Sequence, residues 1–135
     1  MAKTEIQIER DFYHILKDSL GNIIRGEVYR RGMRPDNAKT EDCIAKFLGG
    51  IDEQIQTGTV VVNIYVPYIP YQDGRRGENL TRIGELQEQV NNILSEIENT
   101  DYDIKPETTP QSYQMDDIEQ TIIAVRLKFK RLNQE

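Results

Sequence analysis

Cysteine and histidine are nearly absent from this chain, which contains Cys43, His14 and no further residue of either type. A single cysteine excludes a disulfide within the chain, and one cysteine with one histidine cannot form a Cys/His zinc site. Long apolar runs are also missing, so the sequence predicts no transmembrane helix. Residues 1–6 include charged side chains and no apolar segment. We therefore expect no secretory signal and a protein made in a reducing cytoplasm.

Recognisable catalytic motifs are missing too. The sequence has no glycine-rich phosphate loop ending in Lys-Ser/Thr, no His-Glu-x-x-His, no nucleophile elbow and no Cys–His pair. Two acidic clusters, Asp116-Asp117 with Glu119 and Asp101 with Asp103, are weak calcium or magnesium candidates because no further ligand residues lie nearby in the sequence. We expect no catalytic residue, no metal and no cofactor, and predict that the protein is not an enzyme.

The composition indicates a single domain spanning residues 1–135 with a modest core, because 37 % of the residues are hydrophobic and 30 % are charged. Such a chain gains from oligomerisation, which buries more surface. The net charge of −6 disfavours nucleic-acid binding, which relies on Lys and Arg. Charge is uneven: residues 85–119 contain ten acidic side chains and one basic one, whereas the C-terminal segment 126–131 is basic.

The segment Thr57–Pro70 is rich in β-branched and aromatic residues and predicts a central strand. Its alternating residues form one fully apolar face: Val60, Val62, Ile64 and Val66. The other face mixes Val61, Asn63 and Tyr65, a composition that suits contact with a helix or a neighbouring subunit. Proline ends the strand, because it cannot donate a hydrogen bond to a sheet ladder.

Three further segments, 26–32, 41–48 and 119–132, predict strands by alternation. Residues 41–48 are compatible with a helix by propensity, but Cys43, Ala45 and Phe47 alternate with polar residues, which favours a strand. We expect this strand to form an antiparallel hairpin with the central strand through a wide loop. Residues 107–117, rich in Thr, Pro, Gln and Ser, predict a loop.

Two amphipathic patterns predict helices at residues 4–18 and 79–98, the second with Asn79 as its N-cap. The second has the longer apolar stripe, formed by Leu80, Ile83, Leu86, Val90, Ile93, Leu94 and Ile97. The sequence therefore predicts an α+β fold: a mostly antiparallel or mixed sheet of about four strands, flanked by an N-terminal helix and a long central helix.

The segment 67–77 predicts an unusual loop, with two prolines, two glycines, two tyrosines and adjacent arginines. Tyrosine and arginine are enriched at protein interfaces, because they combine large contact area with polar groups. We favour an interface role for this loop. The alternative is that its aromatic side chains fold back onto their own domain.

Several segments together resemble the tail-completion proteins, or tail terminators, of long-tailed bacteriophages and prophages. The resemblance lies in Tyr29-Arg-Arg-Gly-Met-Arg-Pro, Glu41-Asp-Cys-Ile and Val60-Val-Val-Asn-Ile-Tyr-Val-Pro, followed by the Leu/Ile helix and the closing Ile-Ala-Val-Arg-Leu-Lys-Phe strand. It covers residues 10–131. The resemblance implies a sheet flanked by helices and a homohexameric ring at the head-proximal end of the tail tube, where it stops tube polymerisation and joins the tail to the head.

The implied partners are further copies of this chain, the tail tube protein and a neck or connector protein, with no membrane contact. DNA passes through the ring without specific binding, which an acidic lumen favours. The implied location is the virion tail, after assembly in the host bacterial cytoplasm. As subunit contacts we predict one set of residues in the proline loop and a second set before it: Tyr68, Tyr71, Arg75 and Arg76, then Tyr29, Arg31 and Arg34.

Three alternatives to a tail terminator stay open at this point. A neck or head–tail joining protein on the portal side has the same kind of sequence. A cytoplasmic adaptor module outside the virion predicts a monomer or dimer with a different partner. A small enzyme is the third, and the missing motifs make it the least favoured.

Overall fold

A computed structural model of the chain describes residues 2–132. The elements in chain order are α1 (Glu5–Leu20), β1 (Val28–Tyr29), β2 (Cys43–Ile51), β3 (Ile55–Pro67), β4 (Ile69–Pro70), β5 (Arg76–Gly77), α2 (Leu80–Ser95), β6 (Asp103–Pro106), β7 (Gln111–Met115) and β8 (Gln120–Leu132). The fold is α+β, as predicted. Within the described residues the main sheet has six strands rather than about four.

The sheet is built around β3 and β8, which pair antiparallel along their whole length from Ile55↔Leu132 to Pro67↔Gln120. The strand order is β1-β2-β3-β8-β6, and β7 pairs with the remaining half of β8. Among the strands of residues 2–132, the pairing of β1 with β2 is parallel and the other pairings are antiparallel. The segment predicted as the central strand is therefore central, although it begins at Ile55 and ends at Pro67.

Both helices pack against one face of the sheet. Phe12 and Leu16 of α1 and Leu86 and Val90 of α2 are fully buried. Leu80, at the start of the apolar stripe predicted for α2, is 67 % exposed instead, because it lies in the first turn on the solvent side. The buried side chains of the two helices meet the alternating apolar residues of the three long strands: Cys43 and Ala45 on β2, Val60, Val62 and Ile64 on β3, and Ile123, Val125, Leu127 and Phe129 on β8. The period of two in the strands and of about 3.6 in the helices explains why one core forms here.

The helix boundaries follow from local capping. Thr4 and Gln7 form a capping box at the start of α1, and the Asn79 side chain accepts a hydrogen bond from the Arg82 backbone at the start of α2. The predicted cap of the second helix is thus confirmed. Its end is three residues earlier than predicted, because the residues after Ser95 turn towards β6 instead of continuing the helix.

Three predicted segments differ from the structure. Residues 107–117 are not a loop throughout, because Gln111–Met115 pairs with β8 as β7. The 67–77 loop contains a two-stranded ribbon of β4 and β5, which we call the proline ribbon (residues 67–77). The hairpin between β2 and β3 is tight rather than wide: Gly49 and Gly50 lie within β2, beside an irregularity in the register, and three residues form the turn.

Candidate interaction surfaces

The described part of the chain has neither a cluster of metal-ligand residues nor a helix that could cross a membrane. Between residues 2 and 132, no group of three or more His, Cys, Asp and Glu residues is arranged to hold a metal ion. No helix in that range has the length and apolar character needed to span a bilayer. Cys43 is fully buried in the core, and burial raises the pKa of its thiol to about 12, so the thiol is not a reactive nucleophile.

A buried ion pair holds α2 against the start of β2. The Arg82 guanidinium donates two hydrogen bonds to the Glu41 carboxylate, each 2.8 Å long, and a third to the Ile23 carbonyl oxygen. The hydrogen bonds to Glu41 raise the pKa of Arg82. Sequence analysis missed this pair, because 41 residues separate its members and nothing local indicates their contact.

A second arginine, Arg34, is bound within its own protomer. Its Nε donates to Asp42 at 2.8 Å, its NH2 group donates to Gln120, and its guanidinium lies 4.0 Å from the centre of the Tyr65 ring. The loop 32–40 is thereby fixed over one end of the sheet, beside an open cleft of about 720 Å³. Arg34, predicted as a subunit contact, therefore has its polar groups engaged internally.

The proline ribbon is attached to the turn between β7 and β8 by two of its predicted contact residues. Tyr68 is only 5 % exposed, and its hydroxyl donates to Asp116 at 2.6 Å. That hydrogen bond is the main reason that the pKa of Tyr68 is raised to about 12. Arg76 pairs with Glu119 at 2.8 Å. Tyr68 thus packs inside its own protomer, and little of its surface remains for a second copy.

The tip of the proline ribbon is exposed. Tyr71 is 41 % exposed and its hydroxyl donates to the Glu78 carbonyl oxygen, while Arg75 pairs with the neighbouring Asp73 and remains largely in solvent.

Tyr29 lies half-buried on the two-residue edge strand β1. Arg31 contacts Glu5 at 3.3 Å and Glu9 at 3.4 Å on α1. Of the seven predicted residues, Arg34, Tyr68 and Arg76 are bound to the segment 116–120, Tyr29 and Arg31 lie near α1 and β1, and Tyr71 and Arg75 form the exposed tip of the proline ribbon.

The face of the sheet that points away from the helices, which we call the open sheet face, carries an excess of positive charge. It includes Val61, Asn63 and Ala124, which are partly exposed. Five basic residues on it are exposed: Lys46, Lys105, Arg126, Lys128 and Lys130. None of the five forms an ion pair with another residue in the range 2–132. Neither α1 nor α2 covers this face, and the loop 32–40 covers only its Tyr65 end, so the part that carries the basic residues is available to a partner.

An apolar rim borders the basic residues at the hairpin end of the same face. Ile51, Ile55 and Leu132 are 61 %, 53 % and 57 % exposed. Ile55 and Leu132 are directly opposite each other on β3 and β8, and Ile51 lies opposite Thr57. A cluster of exposed aliphatic side chains beside a charged surface is typical of a protein interaction site.

The outer face of α2, turned away from the sheet, has the opposite charge. Its residues are Thr81, Glu85, Glu88, Asn92, Ser95 and Glu96, all exposed. The one basic residue of α2 is Arg82, which is buried against Glu41. Glu88 and Glu96 form no ion pair with any residue from 2 to 132, and Glu85 makes only a long contact of 3.6 Å with Arg82.

Gly84 lies on the exposed side of α2, where a Cβ atom would meet no atom of another part of the protomer within 4 Å. A glycine in a helix interior costs about 0.5–1 kcal/mol relative to alanine. We therefore expect Gly84→Ala to raise the free energy of unfolding by about that amount, measured by urea denaturation at a concentration where the protein is monomeric. Gln89→Ala, at another exposed position of α2, serves as the control because glutamine and alanine have similar helix propensities. A destabilised Gly84→Ala variant would contradict this prediction.

Comparisons with known proteins give no independent indication of function. A scan against protein-family models finds no match, and no curated protein is similar to the chain.

Proposed function

We propose that this protein is a tail-completion subunit that assembles into a homohexameric ring at the head-proximal end of a phage tail tube. There the ring stops tube polymerisation and joins the tail to the neck or connector protein. The observation that carries the proposal is the uncovered sheet face, with its unpaired basic residues and the apolar rim of Ile51, Ile55 and Leu132. Such a face supports association with protein partners rather than chemistry on a small molecule.

The number and placement of exposed groups fit a self-assembling subunit. A stable interface buries about 800 Å² on each partner, an area of roughly 20–30 residues. The open sheet face and the tip of the proline ribbon are different surfaces of the protomer, and each is available for contact with a neighbouring copy. Contacts between different surfaces of identical subunits are heterologous, and they form a ring when the rotation closes. We assign Tyr71 and Arg75 to these contacts in preference to the buried Tyr68.

Charge supports the passage of DNA through such a ring. The chain has a net charge of −6, so six copies repel the phosphate backbone and lack the counterion release that drives DNA binding. DNA would then move through the lumen without specific contacts. The ring would be assembled in the bacterial cytoplasm and retained in the virion tail.

The oligomeric mass in solution tests this proposal. We expect light scattering across a concentration series to show a species of six times the 15.7 kDa protomer mass at high concentration. Negative-stain electron microscopy of the same sample should show closed rings with a central channel. A strict monomer or dimer at every concentration, with no rings, would contradict the proposal and favour the adaptor alternative.

A further inference from the structure

The open sheet face contains an arrangement that is unfavourable in an isolated protomer. Lys105 on β6 lies directly opposite Lys128 on β8, and like charges directly opposite each other on neighbouring strands are destabilising. Arg126 and Lys130 flank Lys128 on the same face, since alternate residues of a strand share a face. Acidic residues lie beside two of these four: Asp103 is opposite Lys130, and the Glu107 backbone N–H donates to the Arg126 carbonyl oxygen. None of the four basic side chains forms an ion pair with another described residue, and basic groups outnumber acidic ones on this part of the face.

The complementary charge lies on the opposite side of the same protomer. The helices cover the other face of the sheet, and the outer face of α2 is directed away from it. Glu85, Glu88 and Glu96 on that face have no basic neighbour on α2 other than the buried Arg82. A protomer with a basic side and an acidic side can satisfy both by binding further copies of itself in a head-to-tail manner.

We propose that the open sheet face of one copy binds the outer face of α2 of the next copy, with Arg126 and Lys128 opposite Glu85 and Glu88. This inference rests on the proposed self-assembly and specifies the surfaces that make it. The contact is heterologous because the two surfaces point in opposite directions. It covers the basic residues of the sheet, which then contribute no attraction for DNA in the lumen.

The dimensions and the shape of the two surfaces agree with this contact. The 16 residues of α2 span about 24 Å at ~1.5 Å per residue. The 13 residues of β8 span about 43 Å at ~3.3 Å per residue, so the helix fits along the sheet face. Gly84 lacks a side chain on the exposed side of α2 although the protomer itself leaves room for one. Because Gly84 has no side chain, the backbone of the next copy can approach α2 closely.

A nucleic acid is the other polyanion that a basic sheet face could bind, and the charge distribution disfavours it. The five basic residues are set in a chain with 23 acidic side chains and a net charge of −6. A long nucleic acid would meet these acidic surfaces as well, whereas a second copy brings an acidic surface of matching size. We therefore make DNA binding an outcome of the test.

Charge reversal provides the test. The variants Arg126→Glu/Lys128→Glu and Glu85→Lys/Glu88→Lys should each assemble at concentrations roughly 100-fold higher than the wild type, because like charges then face each other across the contact. An equimolar mixture of the two should assemble with alternating subunits, and the variant with all four changes should assemble alone. Arg10→Glu/Lys17→Glu, on the exposed side of α1, is the matched control and should behave as the wild type.

Protomer stability separates lost assembly from lost folding. We expect Lys128→Glu to raise the thermal unfolding midpoint of the monomer by about 1–4 °C, since it replaces a like-charge pair by an opposite one. A variant that is better folded yet assembles poorly identifies an interaction surface. Circular dichroism should show wild-type spectra for all the reversed variants.

Cross-linking gives a second measurement that does not depend on charge. In the double variant Glu88→Cys/Lys128→Cys, a short bis-maleimide should link successive copies into a ladder, whereas each single variant should give at most dimers. Cys43 does not interfere, because it is fully buried. The absence of a ladder in an assembled sample would overturn the proposed contact.

The outcomes distinguish this inference from the function on which it rests. If the charge-reversed variants form six-fold rings as readily as the wild type, the proposed ring stands and the proposed contact between the open sheet face and α2 is wrong. If assembly depends on the reversed charges as expected but gives open filaments or smaller oligomers, the proposed contact is supported and the hexameric ring is contradicted. A monomer in all samples overturns both the hexameric ring and the proposed contact. Binding of a short duplex DNA that depends on Arg126 and Lys128, with assembly unchanged by their reversal, would assign the basic face to nucleic acid and overturn the inference.

Discussion

Replacing Arg82 by alanine should lower the free energy of unfolding by about 3–5 kcal/mol, because the change leaves the Glu41 carboxylate buried without its charged partner. The Glu41 side chain is 4 % exposed and the Arg82 side chain 9 %. Among residues 2–132, the Glu41 carboxylate accepts one further hydrogen bond, from the Arg25 backbone at 3.1 Å, which cannot neutralise its charge. Urea unfolding of the monomer measures the loss.

Two controls separate the ion pair from the packing of the long arginine side chain. Arg82→Met/Glu41→Leu removes both charges and keeps apolar volume, so we expect it to be far more stable than Arg82→Ala. Arg10→Ala, at an exposed position on α1, should change stability by less than about 0.5 kcal/mol. A loss below about 1 kcal/mol in Arg82→Ala would show that water reaches Glu41 and that the pair does not fix α2 to the sheet.

The sequence predicted the parts of the fold that follow from periodicity. The alternation from Val60 to Val66 places one face of β3 in the core, and the stripe from Ile83 to Leu94 places α2 over it. Both signals depend only on residues within one element, so they are readable without knowing the partners. The strand predicted at residues 41–48 is confirmed from Cys43 onwards, although β2 begins two residues later than predicted and extends to Ile51.

Elements without a hydrophobic pattern could not be predicted in this way. Gln111–Met115 is almost entirely exposed, and it forms β7 only because its backbone pairs with β8. The proline ribbon likewise depends on long-range contacts with the turn at residues 116–119. The composition of such segments predicts loops, although backbone pairing with a neighbouring strand can make them β-strands.

The candidate surfaces, like the fold, could be predicted only in part from the sequence. The basic character of the last strand is visible in the sequence at Arg126, Lys128 and Lys130, but its lack of ion-pair partners within the described chain is not. Composition also could not tell which aromatic residues of the proline ribbon are exposed. Tyr68 and Tyr71 are both tyrosines in a proline-rich segment, and tertiary contacts alone decide that the first is buried and the second is not.

Those two tyrosines give a matched pair of substitutions with opposite expected effects. Tyr68→Ser should lower the free energy of unfolding by about 3 kcal/mol, because it leaves a cavity where a buried ring was. Tyr68→Phe should cost about 1 kcal/mol, the value of the hydrogen bond to Asp116. Tyr71→Ser should leave the fold within about 1 kcal/mol of the wild type, since its ring is 41 % exposed.

We expect the opposite pattern for assembly, which should be impaired by the change at Tyr71. If the tip of the proline ribbon contacts the next subunit, Tyr71→Ser raises the concentration needed for ring formation about tenfold or more, as truncation of an interface tyrosine does. Tyr68→Phe should assemble like the wild type, because its hydroxyl faces Asp116 and not a neighbour. Urea unfolding and light scattering on the same samples measure the two effects. A stable, normally assembling Tyr71→Ser variant would remove the ribbon from the interface and leave the open sheet face and the outer face of α2 as the contact surfaces.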